Sequence, residues 1–426
     1  MSEIKLYEYQ EKMVENTIKS LKKHKKSLVV MPTGAGKTFV FCEIIKRLKL
    51  KTLIIAHTKE LIDQANKSAY LFKIPEDLLQ IDSIQKISHH SNEINLNKNY
   101  ELIIIDECHR ACAPSYLKLL NKFPNAFILG VTATPYRTDG KVITSIFGYP
   151  DQLLSMIDLI KNGFLCDFKG YRVKTNTSLK NIPKSSTTKD FSSKALSSVI
   201  NVKSRNEIIF NSWEKLAKNN KTLGFGANVE HCVELARTFT ERGIFSKSIH
   251  GKLPKGERDV IINDFKIGII KVLWNCQILT EGFDDPTIKC ILMARPTLSK
   301  RLYIQMIGRG SRISPGKEFC QVIEFTDNNY DVCDLRDLLQ LPKKSTPLLD
   351  GELITRYHDK IKNELLDCDG DVVIEGWQIV KPQYDPPASE SLLKILEQFS
   401  IKHPLNITEF EANILLNNFL TRSVNE

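Results

Sequence analysis

Along the first 150 residues, short β-branched runs alternate with amphipathic stretches. SLVVM (27–31), TLIIA (52–56), LIIID (102–106) and AFILGVT (126–132) are apolar throughout, the pattern of strands buried on both faces of a parallel sheet. KTFVFCEIIKRLKL (37–50) and KELIDQANKSAYLF (59–72) fit the intervening helices. Repeated strand–helix units predict a doubly wound α/β domain, whose ligand site lies at the carboxyl ends of its strands.

The pattern breaks at 174–200, which is rich in Ser, Thr and Lys and reads as a linker or exposed excursion. A second α/β series follows: TLGFGA (222–227), FSKSIHG (245–251), IKVLWNC (270–276), KCILMAR (289–295) and CQVIEFT (320–326). Stretches 229–243 and 257–268 supply helices between them. After about residue 330 the rhythm stops, and 389–399 and 407–420 read as a helical hairpin.

At 426 residues, the chain suits two or three domains. No apolar run approaches the ~18–20 residues that span a bilayer, so no membrane segment is expected. The start, MSEIKLYEYQ, has no apolar core of a secretory signal. Ten cysteines without paired spacing read as reduced thiols, which points to the cytoplasm or another reducing compartment. The net charge of +10 suits a polyanionic partner, although many enzymes that never touch nucleic acid share such mild basicity.

MPTGAGKT (31–38) lies between a predicted strand and a predicted helix, the setting of a phosphate-binding loop. Gly34 and Gly36 let the backbone turn its N–H groups toward phosphate, and the helix N-terminus adds its positive end. Lys37 would reach the terminal phosphates, and the Thr38 hydroxyl would hold Mg²⁺. Met31 stands where the full motif has glycine. LIIIDECH (102–109) supplies the acidic partner: Asp106 for the metal, partly through water, and Glu107 to orient or deprotonate the attacking water. Alone, an Asp-Glu pair at a strand end would also fit a solvated helix cap; beside residues 31–38 it points to the nucleotide. Cys108, His109 and Cys112 lack a second ligand pair, so no zinc is expected.

MPTGAGKT, DECH, VTATP (131–135), ILTEGFDDP (278–286) and QMIGRGSR (305–312) stand in the order found in superfamily 2 helicases, which the chain resembles over roughly residues 4–330. Its second half is similar to RadD-type DNA repair helicases and mitochondrial branched-DNA ATPases. The stretches that carry this likeness are IHGKLPKGERDVIINDF (249–265), TEGFDDPTIKCILMARPTLSKRLYIQMIGRGSR (280–312) and PGKEFCQVIEF (315–325).

This resemblance implies an α/β fold of two tandem RecA-like P-loop domains with parallel sheets and a small helical C-terminal tail. Its expected limits are 1–165 for the first domain, 166–200 for a linker, 201–330 for the second domain and 331–426 for the extension. It implies ATP between the domains, cradled by Thr33, Gly34, Ala35, Gly36, Lys37 and Thr38, with Arg309 and Arg312 reaching the γ-phosphate. Gln10 in LYEYQEKMV (6–14) would read adenine, with Tyr7 where the family has Arg and able to stack instead. Gln305, Gly282 and Asp284 complete the ATP side, while His109, Thr132 and Thr134 couple it to domain movement. His57, Thr58, Glu60, Ser83, Gln85, Asn228, His250 and Gly251 match backbone contacts to nucleic acid, which carry little base specificity; each singly also fits an ordinary loop or cap.

The C-terminus departs from the RadD type, for Cys333 and Cys368 stand alone where a cysteine-rich zinc module would follow. The extension would pack on the core, or bind a protein partner or branched DNA. The resemblance implies an ATP-dependent DNA helicase or translocase acting on branched repair or recombination intermediates. An RNA helicase with the same core, or an ATP-gated subunit of a restriction or defence complex, would share these motifs.

Overall fold

A computed structural model of the chain describes residues 4–89, 99–133, 143–148, 150, 154–175, 177–186, 188–280, 282–326, 332–338, 351, 353–356, 393 and 397. The chain divides into two compact units, 1–341 with 347–367, and 342–346 with 368–426. In the second unit only residues 393 and 397 are described, both helical, so the expected hairpin otherwise lies outside the described residues.

The first unit contains two parallel sheets. The first is built from β1 (Lys26–Val30), β2 (Thr52–Ala56), β3 (Leu79–Ser83), β4 (Leu102–Asp106) and β5 (Phe127–Thr132), in the order β1-β5-β4-β2-β3. The second is built from β6 (Asp167–Lys174), β7 (Thr222–Phe225), β8 (Ser246–His250), β9 (Val272–Cys276), β10 (Cys290–Met293) and β11 (Phe319–Thr326), in the order β6-β11-β10-β7-β9-β8. Ile103, Ile104 and Ile105 of β4 and Leu53, Ile54 and Ile55 of β2 are wholly buried. Each such side chain gains about 1.5–3 kcal/mol from burial, which is why these strands sit at the centre. β3 instead forms an edge, with most of its residues half-buried.

Register aligns the strand ends that carry chemistry. β5 lies between β1 and β4, with Val30 beside Thr132 and Asp106 beside Val131. Met31 N–H then donates to the Thr132 carbonyl at 3.0 Å. The loops leaving β1, β4 and β5 therefore open at one place. Below them, Gly130 has room for no side chain, because an added Cβ would lie 2.7 Å from the Phe147 ring.

The stretch expected as linker is more ordered than its composition suggests. β6 pairs over its whole length with β11 in the second sheet, and Ser193–Ile200 is helical. Leu179, Ile182, Phe191, Leu196 and Ile200 bury together as a small separate core. Spaced among polar residues, these few apolar side chains suffice to tie the excursion down.

Candidate nucleotide site between two lobes

The loop after β1 turns at Gly34 (φ +89°) and Gly36 (φ +81°), left-handed conformations that only glycine adopts without strain. Gly36 caps the twelve-residue helix Lys37–Leu48 without a side-chain bond, which leaves its first-turn N–H groups to an anion. Lys37 and Thr38 are half-buried in that turn. Gln10 is fastened to this loop: its Oε1 accepts the Tyr7 N–H and its Nε2 donates to the Ala35 carbonyl, both at 3.0 Å. Tyr9 Oη donates to the same carbonyl, and Tyr7, Tyr9 and Phe164 form an aromatic cluster with Tyr7 largely exposed.

At the end of β4, the Asp106 Oδ1 accepts the Glu107 N–H at 2.9 Å. Glu107 itself has φ +50°, a conformation costly for a residue with a side chain and frequent at functional sites. Its carboxylate lies 3.2 Å from Nδ1 of His109, which is also 3.4 Å from the Thr132 hydroxyl. Burial lowers the His109 pKa despite that carboxylate, so the ring is neutral at pH 7.

The second lobe closes over the loop. Ser311 Oγ donates to the Thr33 carbonyl at 3.2 Å, and an added Cβ on Gly308 would meet the Thr33 side chain at 2.6 Å. Arg309 Nη1 donates to the Phe283 carbonyl at 2.6 Å, and Arg312 pairs with the Asp284 carboxylate. Gln305 is buried one helical turn before Arg309. Thus QMIGRGSR touches both the phosphate loop and the Phe283–Asp284 segment. A basic cluster facing a glycine cradle and two carboxylates can hold a polyphosphate and stabilise charge on its terminal group.

The residues expected to touch a strand are more dispersed in role. Thr58, Ser83 and Asn228 cap helices, accepting the N–H groups of Leu61, Lys86 and His231. His57 and Gln85 line a cavity of about 790 Å³ with His109, Arg295 and Arg301. Glu60 lies against Gly282, whose added Cβ would be 2.9 Å from the Glu60 Cβ. His250 is buried, and Gly251 is open to within 3.9 Å of Ile278. Thr134 lies outside the described residues.

Sequence reasoning missed three participants. Arg301 Nη1 reaches Nε2 of His109 at 2.8 Å across the lobes. Lys317, buried, donates to the carbonyls of Gly310 and Arg312 at 2.8 Å and of Pro286 at 3.2 Å, which fixes the arginine loop. Phe283 lends its carbonyl to both arginines. Only Phe283 had a signal, since it lies inside the ILTEGFDDP motif.

Two family models match the chain: "Type III restriction enzyme, res subunit" over 3–77 and 75–137, and "Helicase conserved C-terminal domain" over 194–314. The chain is similar to the ATP-dependent helicase-type protein IRC3 of Saccharomyces cerevisiae, at 33% identity over 75% of this chain and 51% of that one. It is similar to the mitochondrial helicase-type irc3 of Schizosaccharomyces pombe, at 31% identity over 88% of this chain and 65% of that one. The chain thus spans between half and two thirds of these curated relatives. Among solved structures, an HsdR-type subunit fragment of a type I restriction enzyme from Vibrio vulnificus matches with TM-score 0.60 at 23% identity, covering 81% of this chain and 66% of that one. That likeness concerns the fold, a tandem pair of RecA-like α/β domains.

Proposed function

Because the chain belongs to the superfamily 2 helicases, we propose that it hydrolyses ATP between its two lobes to move along or remodel DNA, with branched repair or recombination intermediates as substrates. The observation that carries this reading is the seating of the Arg309–Arg312 loop on the phosphate loop through Ser311 and Thr33. A nucleotide-binding fold without turnover has little use for that arrangement, because the developing charge on a transferred phosphoryl group is what arginines stabilise.

In this reading the N–H groups at the start of helix Lys37–Leu48 and the Lys37 ammonium hold the phosphates. The Tyr7, Tyr9 and Phe164 rings offer an apolar face to the base. Thr38 and Asp106 fit the donor set of Mg²⁺, a hydroxyl and a carboxylate beside a glycine cradle; the ion neutralises phosphate charge when bound. Glu107 takes the proton of the attacking water. Arg309 and Arg312 exchange their Phe283 and Asp284 partners for the γ-phosphate as charge builds there. Because those partners adjoin Gly282, which lies on Glu60, the exchange would be felt where the strand binds.

DNA rather than RNA is favoured by the restriction-enzyme model matched over 3–137. Among the described residues no helix is long and apolar enough to cross a membrane. The nine described cysteines form no disulfide, which suits a reducing compartment that contains nucleic acid.

The deciding experiment is ATP turnover with no nucleic acid, single-stranded DNA, forked DNA, four-way junctions and structured RNA. Strongest stimulation by branched DNA is expected. Stimulation by RNA alone would move the chain to the RNA helicases, and none by any would leave a gated subunit. Lys37→Ala and Glu107→Gln are each expected to lower turnover by about 100-fold or more. The glutamine variant alone should retain bound ATP. Normal turnover in either variant would sink the assignment.

A further inference from the structure

His109 stands between the lobes with a partner on each side. Its turn follows β4 in the first lobe, and Arg301 opens helix Lys300–Ile307 of the second. A guanidinium has five N–H donors and no acceptor. The 2.8 Å approach of Arg301 Nη1 to His109 Nε2 therefore makes Nε2 an acceptor and leaves the ring's proton on Nδ1. There it faces Glu107 Oε2 at 3.2 Å and the Thr132 hydroxyl at 3.4 Å. The carboxylate is the stronger acceptor of the two.

We propose that Arg301 is a positioning residue for Glu107: by fixing His109 with its proton on Nδ1, it orients the carboxylate when the second lobe is seated. The contacts run from Arg301 Nη1 to His109 Nε2 and from His109 Nδ1 to Glu107 Oε2. With Arg301 withdrawn, Nε2 loses its donor and the ring is held from the Nδ1 side alone, so the N–H that faces Glu107 is no longer fixed in direction. Arg110, the other cation beside the ring, follows His109 in the same turn of the first lobe and cannot report where the second lobe lies. The effect on turnover rests on the reading of Glu107 given above; the tautomer does not.

The test uses the full chain labelled with ¹⁵N-histidine. Long-range ¹H–¹⁵N spectra at neutral pH distinguish the two neutral tautomers, and the spectrum of His109→Ala assigns the signal. A proton on Nδ1 is expected, and Arg301→Ala should move the Nε2 resonance downfield, because the unprotonated nitrogen loses its donor. In turnover, Arg301→Ala should lower kcat by about 10- to 100-fold with KM for ATP changed less than about twofold. Arg301→Lys, which still donates, should recover much of that loss. Combining Arg301→Ala with His109→Ala should be no slower than His109→Ala alone, because both break one chain.

An Nε2–H ring in the unaltered protein, or a signal indifferent to Arg301→Ala, overturns the proposal. So do losses that multiply in the double variant. If the unaltered chain turns over no ATP, the hydrolytic reading fails while the spectra still decide whether Arg301 fixes the ring.

Discussion

Gly308 shows how little space separates the lobes at the candidate nucleotide. Its backbone lies in ordinary helical space, so alanine there strains nothing locally. The added carbon would nevertheless lie 2.6 Å from Thr33 Cβ and 2.7 Å from its Cγ2. One lobe must then retreat from the other by a fraction of an ångström, and Arg309 with it. Misplacement on that scale costs rates of about 10- to 100-fold. Gly308→Ala should therefore lower kcat/KM for ATP by that factor while the melting temperature stays near that of the unaltered chain. Equal losses of stability and rate would mean that the substitution damages the fold instead.

Among the elements, the apolar strands were readable, while two of the four edge strands, β3 and β6, were not. β2 and β4 occupy the residues their apolar runs predict, because a strand covered on both faces has no polar positions to blur its limits. β3, LQIDS, is half-exposed and reads like a loop. β6, DFKGYRVK, alternates polar and apolar residues beside a Ser- and Lys-rich stretch, and only its partner β11 reveals it. The phosphate loop, Asp106 and the arginine pair were legible because each chemistry confines them to short spacings. Arg301 and Lys317 were not, because their partners lie 192 residues away in one case and are bare carbonyls in the other.

β11 also carries a titration that the fold imposes. Glu324 is buried and accepts a hydrogen bond from Tyr303, and its pKa is pushed up to about 8, by burial first and the nearby Asp334 second. In the unfolded chain the same carboxyl titrates near 4.3. Between these values the folded protein holds a proton that the unfolded chain has lost. The stability tied to that proton is therefore fully present below the unfolded pKa and is lost as pH rises through about 8. Glu324→Gln removes the charge and keeps an oxygen that accepts from the Tyr303 hydroxyl. Its melting temperature should fall less than that of the unaltered chain between pH 5 and about 8.5, and parallel curves would show that the carboxyl is already ionised in the fold.

At the scale of the whole molecule, the question is how an event at the phosphates reaches a bound strand. Gly282 to Asp284 forms a short path for it. At one end, Gly282 (φ +72°) lies against the helix start, where an added Cβ would come within 3.1 Å of the Glu60 carbonyl carbon and 3.3 Å of the Leu61 nitrogen. At the other, the Phe283 carbonyl and Asp284 carboxylate hold Arg309 and Arg312. A side chain at 282 would meet main chain rather than a flexible tip, so the segment has to shift off the first lobe. Gly282→Val should thus weaken communication more than chemistry. The ratio of DNA-stimulated to basal ATP turnover is expected to fall by about tenfold, equivalent to roughly 1.4 kcal/mol of coupling, with the basal rate changed far less. If basal and stimulated rates fell in proportion, Gly282 would serve the nucleotide site alone, and the strand would have to be sensed along another route.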